Sequence, residues 1–153
     1  VPGELWVKGP SVMKGYWRRE DETAMTLKDG WLRTGDIASK SPEGFFKIMD
    51  RLKDMIIVSG FKVWPNEVED ILVSHPAILE AAVIGHKTEL GTKLKAVLVR
   101  RPNQKLLTLD EVRSFCKQNL AAYKVPKFIE YRDELPRTSV GKILRRQLRG
   151  DAT

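Results

Sequence analysis

The periodicity of the apolar residues changes near Asp54, and that change limits what the chain can fold into more than any other feature. Up to about position 50, apolar residues recur in short runs between Gly9-Pro10, Asp29-Gly30 and Pro42-Glu43-Gly44, a pattern of strands and tight turns. Trp6, Trp17, Trp31, Leu32, Ile37, Phe45, Phe46 and Ile48 belong to this stretch, with Trp6, Trp17 and Trp31 expected in a core. No closed core of their own is evident, so the stretch is expected to belong to the edge of a larger domain. Val1 is not an initiator methionine and leads at once into a strand pattern, Leu5-Trp6-Val7, so the chain is expected to be part of a longer protein.

The next apolar runs, Phe45 to Asp50 and Met55 to Ser59, read as a second hairpin interrupted by the polar Arg51-Leu52-Lys53-Asp54, where a boundary is expected. Beyond it Asn66 and Glu69 have the spacing of a helix cap, with Val68, Ile71 and Leu72 as the apolar face and His75-Pro76 as the stop. Glu80 to Gly85 and Ala96 to Val99 suit sheet strands, with His86 to Lys93 as a polar connection. Thr108 and Glu111 repeat the cap spacing before Val112, Phe115, Cys116 and Leu120, and Phe128 to Tyr131 forms a third strand. The expected class is therefore α+β: a small domain with a short hairpin and a three-stranded sheet packed by helices, preceded by a β-rich segment.

Composition bounds the function. The 153 residues are 42% hydrophobic, and 27 basic against 20 acidic residues leave a net charge of +7, which favours anionic partners: nucleotide, phosphorylated cofactor, nucleic acid or an anionic lipid surface. The charge is most uneven in the tail, where Arg137, Lys142, Arg145, Arg146 and Arg149 meet no acidic residue between Pro136 and Gly150. A helix from about Gly141 would put Lys142, Arg145, Arg146 and Arg149 on one side and Leu144 and Leu148 on the other. A single cysteine, Cys116, excludes an internal disulfide framework, suits a reducing compartment and fits the apolar rhythm of a helix. Two histidines, His75 and His86, read as structural, and with one cysteine they argue against a structural zinc site. No apolar run of about eighteen residues and no signal-like segment is present, so a cytoplasmic location is expected.

Three groups of residues could carry chemistry. In Arg33-Thr34-Gly35-Asp36 the carboxylate of Asp36 suits two vicinal ribose hydroxyls, and an ordinary Asx turn is the alternative. Asp50-Arg51-Leu52-Lys53-Asp54 with Gly60-Phe61-Lys62 reads either as a surface charge cluster or as a swivel with a nucleotide contact at Arg51. In Pro136-Arg137-Thr138-Ser139-Val140-Gly141-Lys142 a glycine admits close approach and Lys142 offers a point charge to phosphate or carboxylate oxygen, or is simply solvated. The last is no Walker loop, because Pro136 stands where that motif needs its first glycine. Trp64, beside Pro65, could line a groove or pack in a core.

Taken in order, Ser11-Val12-Met13-Lys14-Gly15-Tyr16-Trp17, Asp29 to Asp36, Asp50 to Asp54, Gly60 to Glu69 and Pro136 to Ile143 resemble the motifs of the adenylate-forming superfamily over essentially the whole chain. That superfamily holds acyl-CoA synthetases, peptide synthetase adenylation domains and beetle luciferases. The resemblance implies that residues 1–50 end a large adenylation domain, 51–54 form a hinge linker and 54–153 form a mobile lid. It implies ATP with Mg2+ and coenzyme A as reactants, with the Mg2+ site and the acyl pocket upstream of Val1. Asp36 would hold the ribose hydroxyls, Arg51 would assist at ribose and phosphates, and Lys142 would reach the α-phosphate and attacking carboxylate. Lys53 matches the hinge, while Gly60, Phe61 and Lys62 would meet coenzyme A.

Lys53 to Glu67, Tyr123-Lys124-Val125-Pro126-Lys127 and Asp133-Glu134-Leu135-Pro136 look closest to bacterial long-chain fatty acid CoA ligases, and Gly60-Phe61 stands where many acetate and aryl-acid members carry two glycines. A fatty acid substrate, the rest of the parent enzyme and a peripheral encounter with anionic lipid are the expected partners. Aryl or short-chain ligases and peptide synthetase adenylation domains are the alternatives within the family. A nucleic-acid binding module is a remote one, lacking an RNA-recognition strand signature, a glycine clamp or zinc spacing. Oligomeric state and acyl chain length are not legible.

Overall fold

The computed structural model describes residues 1–150. Contacts divide the chain between Lys53 and Asp54 into two compact units.

The first unit is one antiparallel sheet organised around a single long strand. β1 (Gly3–Val7), α1 (Glu20–Thr26), β2 (Leu27–Lys28), β3 (Trp31–Lys40) and β4 (Phe46–Arg51) follow in order. β1 lies along one edge of β3, while β2 and β4 share the other, with Leu27 and Val7 both opposite Leu32 and Arg51 opposite Asp36. Asp29 and Gly30 have φ of 51° and 79°, the paired left-handed conformation of a two-residue hairpin turn, so this punctuation signal becomes the β2–β3 turn. Helix α1 was not expected. Its signal is the acidic first turn, Glu20, Asp21 and Glu22, which complements a helix N-terminus.

The tryptophan expectation is corrected. Trp6, Trp17 and Trp31 are all exposed, Trp17 at 85%. Phe45, Phe46 and Ile48 are exposed as well, and Ile37 and Ala38 are the buried apolar residues among those described in this unit. The physical reason is that a single sheet has no second layer here to cover its apolar side chains.

The second unit is the α+β domain. β5 (Ile56–Val58) and β6 (Phe61–Val63) form a hairpin, followed by α2 (Pro65–Val73), β7 (Ile78–Thr88), β8 (Gly91–Arg100), α3 (Leu109–Lys117), β9 (Phe128–Tyr131) and α4 (Arg145–Gly150). The sheet order is β7-β8-β9, antiparallel between β7 and β8 and parallel between β8 and β9, with α3 in the crossover. Both faces are covered, which explains the continuous apolar runs. Val68 and Leu72 of α2, Val112 and Cys116 of α3 and the hairpin residues Ile56, Val58 and Val63 share one core with Ala81, Val83, Ala96 and Leu98. Leu135 and Leu148 close the opposite face over Ala82, Ile84, Val97 and Val99.

Several local expectations change. β4 pairs with β3 and β5 with β6, so residues 45–59 are not one hairpin: a 3-10 turn, Leu52–Asp54, separates partners in different sheets. Helix α2 begins at Pro65 with Trp64 at its N-cap and no side-chain cap, because proline is pre-organised for the first helical position. Asn66 and Glu69 are thereby released for other bonds. The His86 to Lys93 connection is instead paired strand, His86 opposite Lys93 and Thr88 opposite Gly91, leaving Glu89-Leu90 as the turn. Here ladder hydrogen bonding overrides polarity. The tail helix starts at Arg145 and not near Gly141, since residues 137–143 close a turn by an Arg137–Ile143 bridge. The capping box of Thr108 and Glu111 is present with both reciprocal bonds.

Candidate functional site

In the first unit β3 and β4 bring Asp36 and Arg51 face to face. Arg51 Nε lies 2.9 Å from Asp36 Oδ1, and both side chains are partly exposed. The strand is shaped for this by Gly35 at φ 72° and by Thr34, whose hydroxyl accepts from the Asp36 N–H at 3.0 Å and donates to the Leu5 carbonyl at 2.8 Å. Asp50 is buried, and its carboxylate accepts the Arg51 N–H at 2.8 Å. Asp36 is thus a fixed, half-exposed acceptor with one cationic neighbour, suited to a polar ligand that offers hydroxyls beside negative charge.

Lys53 lies exposed in the 3-10 turn at the boundary. In the second unit, Ser59 and Gly60 make the β5–β6 turn with φ of 50° and 84°, which leaves Gly60 open, with nothing near the place a Cβ would occupy. Phe61 follows, exposed, and stacks on Tyr123 with ring centroids 4.5 Å apart. Beside it Lys124 Nζ contacts both carboxylate oxygens of Glu67 at 2.6 and 2.7 Å. Lys62 is exposed on the same short strand. Tyr123 was not expected at a site; no local pattern pairs it with a residue so distant in sequence.

Lys142 sits at the end of a stiff turn. The Thr138 N–H donates to the Lys142 carbonyl at 2.8 Å, the Lys142 N–H to Thr138 Oγ1 at 3.1 Å and the Gly141 N–H to the Thr138 carbonyl at 2.9 Å. Gly141 takes φ 85°, and Arg137 Nη1 donates to its carbonyl at 2.8 Å. The Lys142 side chain is exposed, and no carboxylate among the described residues is paired with it. The backbone is held in place here, and the ammonium rides on a flexible four-carbon stem with its charge available.

Apart from Arg146, which is exposed, the rest of the basic tail is not a free cationic face. Arg137 pairs with Glu80, Arg145 with Glu69 and Asp54, and Arg149 with Asp54. His75 Nδ1 accepts the Ala77 N–H at 3.0 Å and its ring meets Phe115 edge-on, while His86 packs against Phe128, in keeping with structural roles. Cys116 is buried, and desolvation pushes its thiol up to about 11. Among the described residues no group of three or more His, Cys, Asp or Glu side chains could hold a metal ion.

The AMP-binding enzyme C-terminal domain matches residues 67–142. The long-chain-fatty-acid–CoA ligase of Yersinia pestis is 54% identical over 151 residues, 98% of this chain and 26% of that protein. The chain belongs to the adenylate-forming acyl-CoA ligase superfamily. A long-chain-fatty-acid–CoA ligase of Bacillus subtilis is 50% identical over 99% of this chain and 27% of its own length, so the chain spans about a quarter of these relatives. Among solved structures, ATP-bound MatB from Rhodopseudomonas palustris superposes with a TM-score of 0.93 at 35% identity, covering 99% of this chain and 30% of that one. The o-succinylbenzoate CoA synthetase of Bacillus subtilis, solved with its acyl-adenylate intermediate, gives 0.87 at 42% identity over 97% and 30%.

Proposed function

We propose that this chain is the ribose-holding and lid portion of an ATP-dependent, AMP-forming ligase that joins a long-chain fatty acid to coenzyme A. A carboxylate oxygen attacks the α-phosphorus of ATP, the bond to pyrophosphate breaks, and the coenzyme A thiol then takes the acyl group as AMP leaves. Asp36 accepts the ribose hydroxyls, with Arg51 turning from its partner toward the nucleotide. Lys142 offsets negative charge that builds on the α-phosphate and the attacking oxygen, an effect worth most where the donor is held in advance. The observation that carries the reading is the rigid turn that presents Lys142 with its charge unpaired among the described residues.

Residues 1–50 are proposed as the end of the large adenylation domain and 54–153 as the lid, turning about the linker 51–54 at Lys53, with Gly60, Phe61 and Lys62 toward coenzyme A. The exposed tryptophans of the first unit are the proposed contact with the remainder of the parent enzyme. The long-chain class is supported by relatives such as the Yersinia pestis ligase. An aryl acid is the second reading, favoured by a 2-succinylbenzoate–CoA ligase of Bacillus cytotoxicus that is 44% identical over 97% of this chain. No helix among the described residues is long and apolar enough to cross a membrane. Lys142 and Arg146, more than the paired tail arginines, are the proposed contacts for a peripheral encounter with anionic lipid.

The test is acid-dependent exchange of labelled pyrophosphate into ATP by the full-length parent, over acids from acetate to oleate, with Lys142→Ala beside it. Exchange with long acids that falls by about a hundredfold or more in the variant is the expected result. Exchange confined to aryl acids would select the second reading, and an unimpaired variant would remove Lys142 from the chemistry.

A further inference from the structure

The turn that carries Lys142 leads directly into a buried charge cluster. Arg145, the first residue of α4, donates from Nε to Glu69 Oε1 at 3.0 Å and from Nη2 to Glu69 Oε2 at 2.7 Å and Asn66 Oδ1 at 2.9 Å. Its Nη1 lies 3.7 Å from Asp54 Oδ2, and Arg149 Nη1 lies 3.4 Å from Asp54 Oδ1. Glu69 also accepts the Val83 N–H at 2.8 Å, which ties the cluster to β7. Asp54 and Glu69 are 7% and 8% exposed, and the two carboxylates are matched by two guanidinium groups. Leu148, on the same short helix, is 1% exposed in the core of the domain.

Such a cluster is a poor way to gain stability, since desolvating Asp54, Glu69 and Arg145 consumes most of what the attraction returns, and apolar residues would fill the space as well. What it supplies is a fixed geometry among three distant points of the chain. One of them is Asp54, the residue that follows Lys53. Held by Arg145 and Arg149, Asp54 is fixed to α4 at the end of the 3-10 turn Leu52–Asp54. The second is the Asn66 and Glu69 turn of α2, and the third is Arg145, three residues after Lys142.

We infer that Arg145 is a positioning residue that clamps Asp54, next to the swivel, to the turn bearing Lys142, so that a rotation about Lys53 carries Lys142 with it and without slack. This rests on the proposed function for what Lys142 does, but the clamp itself rests on the geometry alone.

The experiment uses the full-length ligase with Asp54→Asn, Arg149→Gln and Arg145→Lys. The first keeps the shape of Asp54 and removes its charge. The second alters a partly exposed residue whose hydrogen bond is to Asp54, and so is the variant least able to disturb folding. The third keeps a charge but loses the fork that reaches both carboxylates, so it does not rescue. In each variant, amide hydrogen exchange is expected to accelerate together at residues 51–55 and 137–144. The kcat of pyrophosphate exchange is expected to fall about tenfold with KM for ATP within about twofold, because misplacement of a reacting group lowers the rate and not the binding. Thioester formation from supplied acyl-adenylate is expected to fall less.

A purely structural cluster would lower both half reactions equally, along with the melting temperature, and would raise exchange throughout the domain; that result overturns the inference, as does faster exchange at 51–55 with 137–144 unchanged. Lys142→Ala is measured in parallel. If it keeps adenylation, the proposed function fails while the paired change in exchange still decides whether the clamp exists.

Discussion

At the residue scale, the burial of Cys116 has a direct chemical consequence. Its thiol lies in the core formed by α2, α3 and the sheet, and desolvation disfavours the thiolate, holding its pKa near 11 against an ordinary value of 9.0. At neutral pH the reactive form is therefore scarce and shielded. Alkylation by iodoacetamide at pH 7.5 is expected to be negligible in the folded chain and rapid in urea, followed by mass spectrometry; ready modification in the native state would contradict the placement. The apolar rhythm around Cys116 already indicates this in the sequence. Arg145 is the opposite case. Its partner Glu69 is 76 positions away, beyond any helical or strand spacing, so a segment that reads as uniformly basic is largely neutralised in three dimensions. Asp36 and Arg51 were each legible as candidates by resemblance, but their direct contact depends on the β3–β4 register and is visible only in the structure.

At the scale of elements, α3 shows a cap that the sequence announces in full. Thr108 Oγ1 accepts from the Glu111 N–H at 3.2 Å, and Glu111 Oε2 accepts the Thr108 N–H at 2.8 Å. The Lys105 ammonium, 2.5 Å from the Glu111 carboxylate, and the Thr108 N–H hold that group down to about 2, against an ordinary 4.5. A lowered folded pKa means that the unfolded chain takes up the proton first as pH falls. The stabilising effect of Glu111 is therefore complete above about pH 4.5 and is lost as pH drops through about 2. A Glu111→Gln variant is expected to melt below the parent at neutral pH and to converge with it toward pH 2, read by circular dichroism across a pH series. Thr108→Ala is expected to cost about 1 kcal/mol at all pH values. By contrast, α2 was misread at its start because a plausible Asn66–Glu69 spacing competed with the stronger preference of Pro65 for the first helical position. Helix α4 is too short for its pattern to locate it. Leu148 is what seats it against the sheet, and Leu148→Ala is expected to cost about 2 to 5 kcal/mol in urea unfolding.

At the scale of the whole chain, the two units differ in what they bury, and this difference predicts how the chain behaves when made alone. The second unit has a core on each face of its sheet, whereas the first leaves Trp6, Trp17 and Trp31 exposed. Far-UV circular dichroism is expected to show a cooperative transition as the second unit unfolds. Tryptophan emission should already lie near that of water-exposed indole beforehand and shift little, with a Trp64→Phe variant removing the contribution of the second unit. A large red shift on unfolding would mean that the first unit buries its tryptophans. The β-rich character of that unit and its lack of a closed core were legible from its turn pairs, but which aromatics stay exposed depends on layers that no local pattern reports.

The same division bears on activity. The chain spans about a quarter of its ligase relatives and carries the proposed ribose and lid residues, while the acyl pocket and phosphate loop are expected upstream by resemblance. Holding Asp36, Arg51 and Lys142 without a bound carboxylate aligned for attack removes the positioning on which adenylation depends. The purified chain is therefore expected to form no AMP from ATP and oleate above the rate of a Lys142→Ala control. Acid-dependent AMP formation lost in that control would show that these residues assemble a working site on their own.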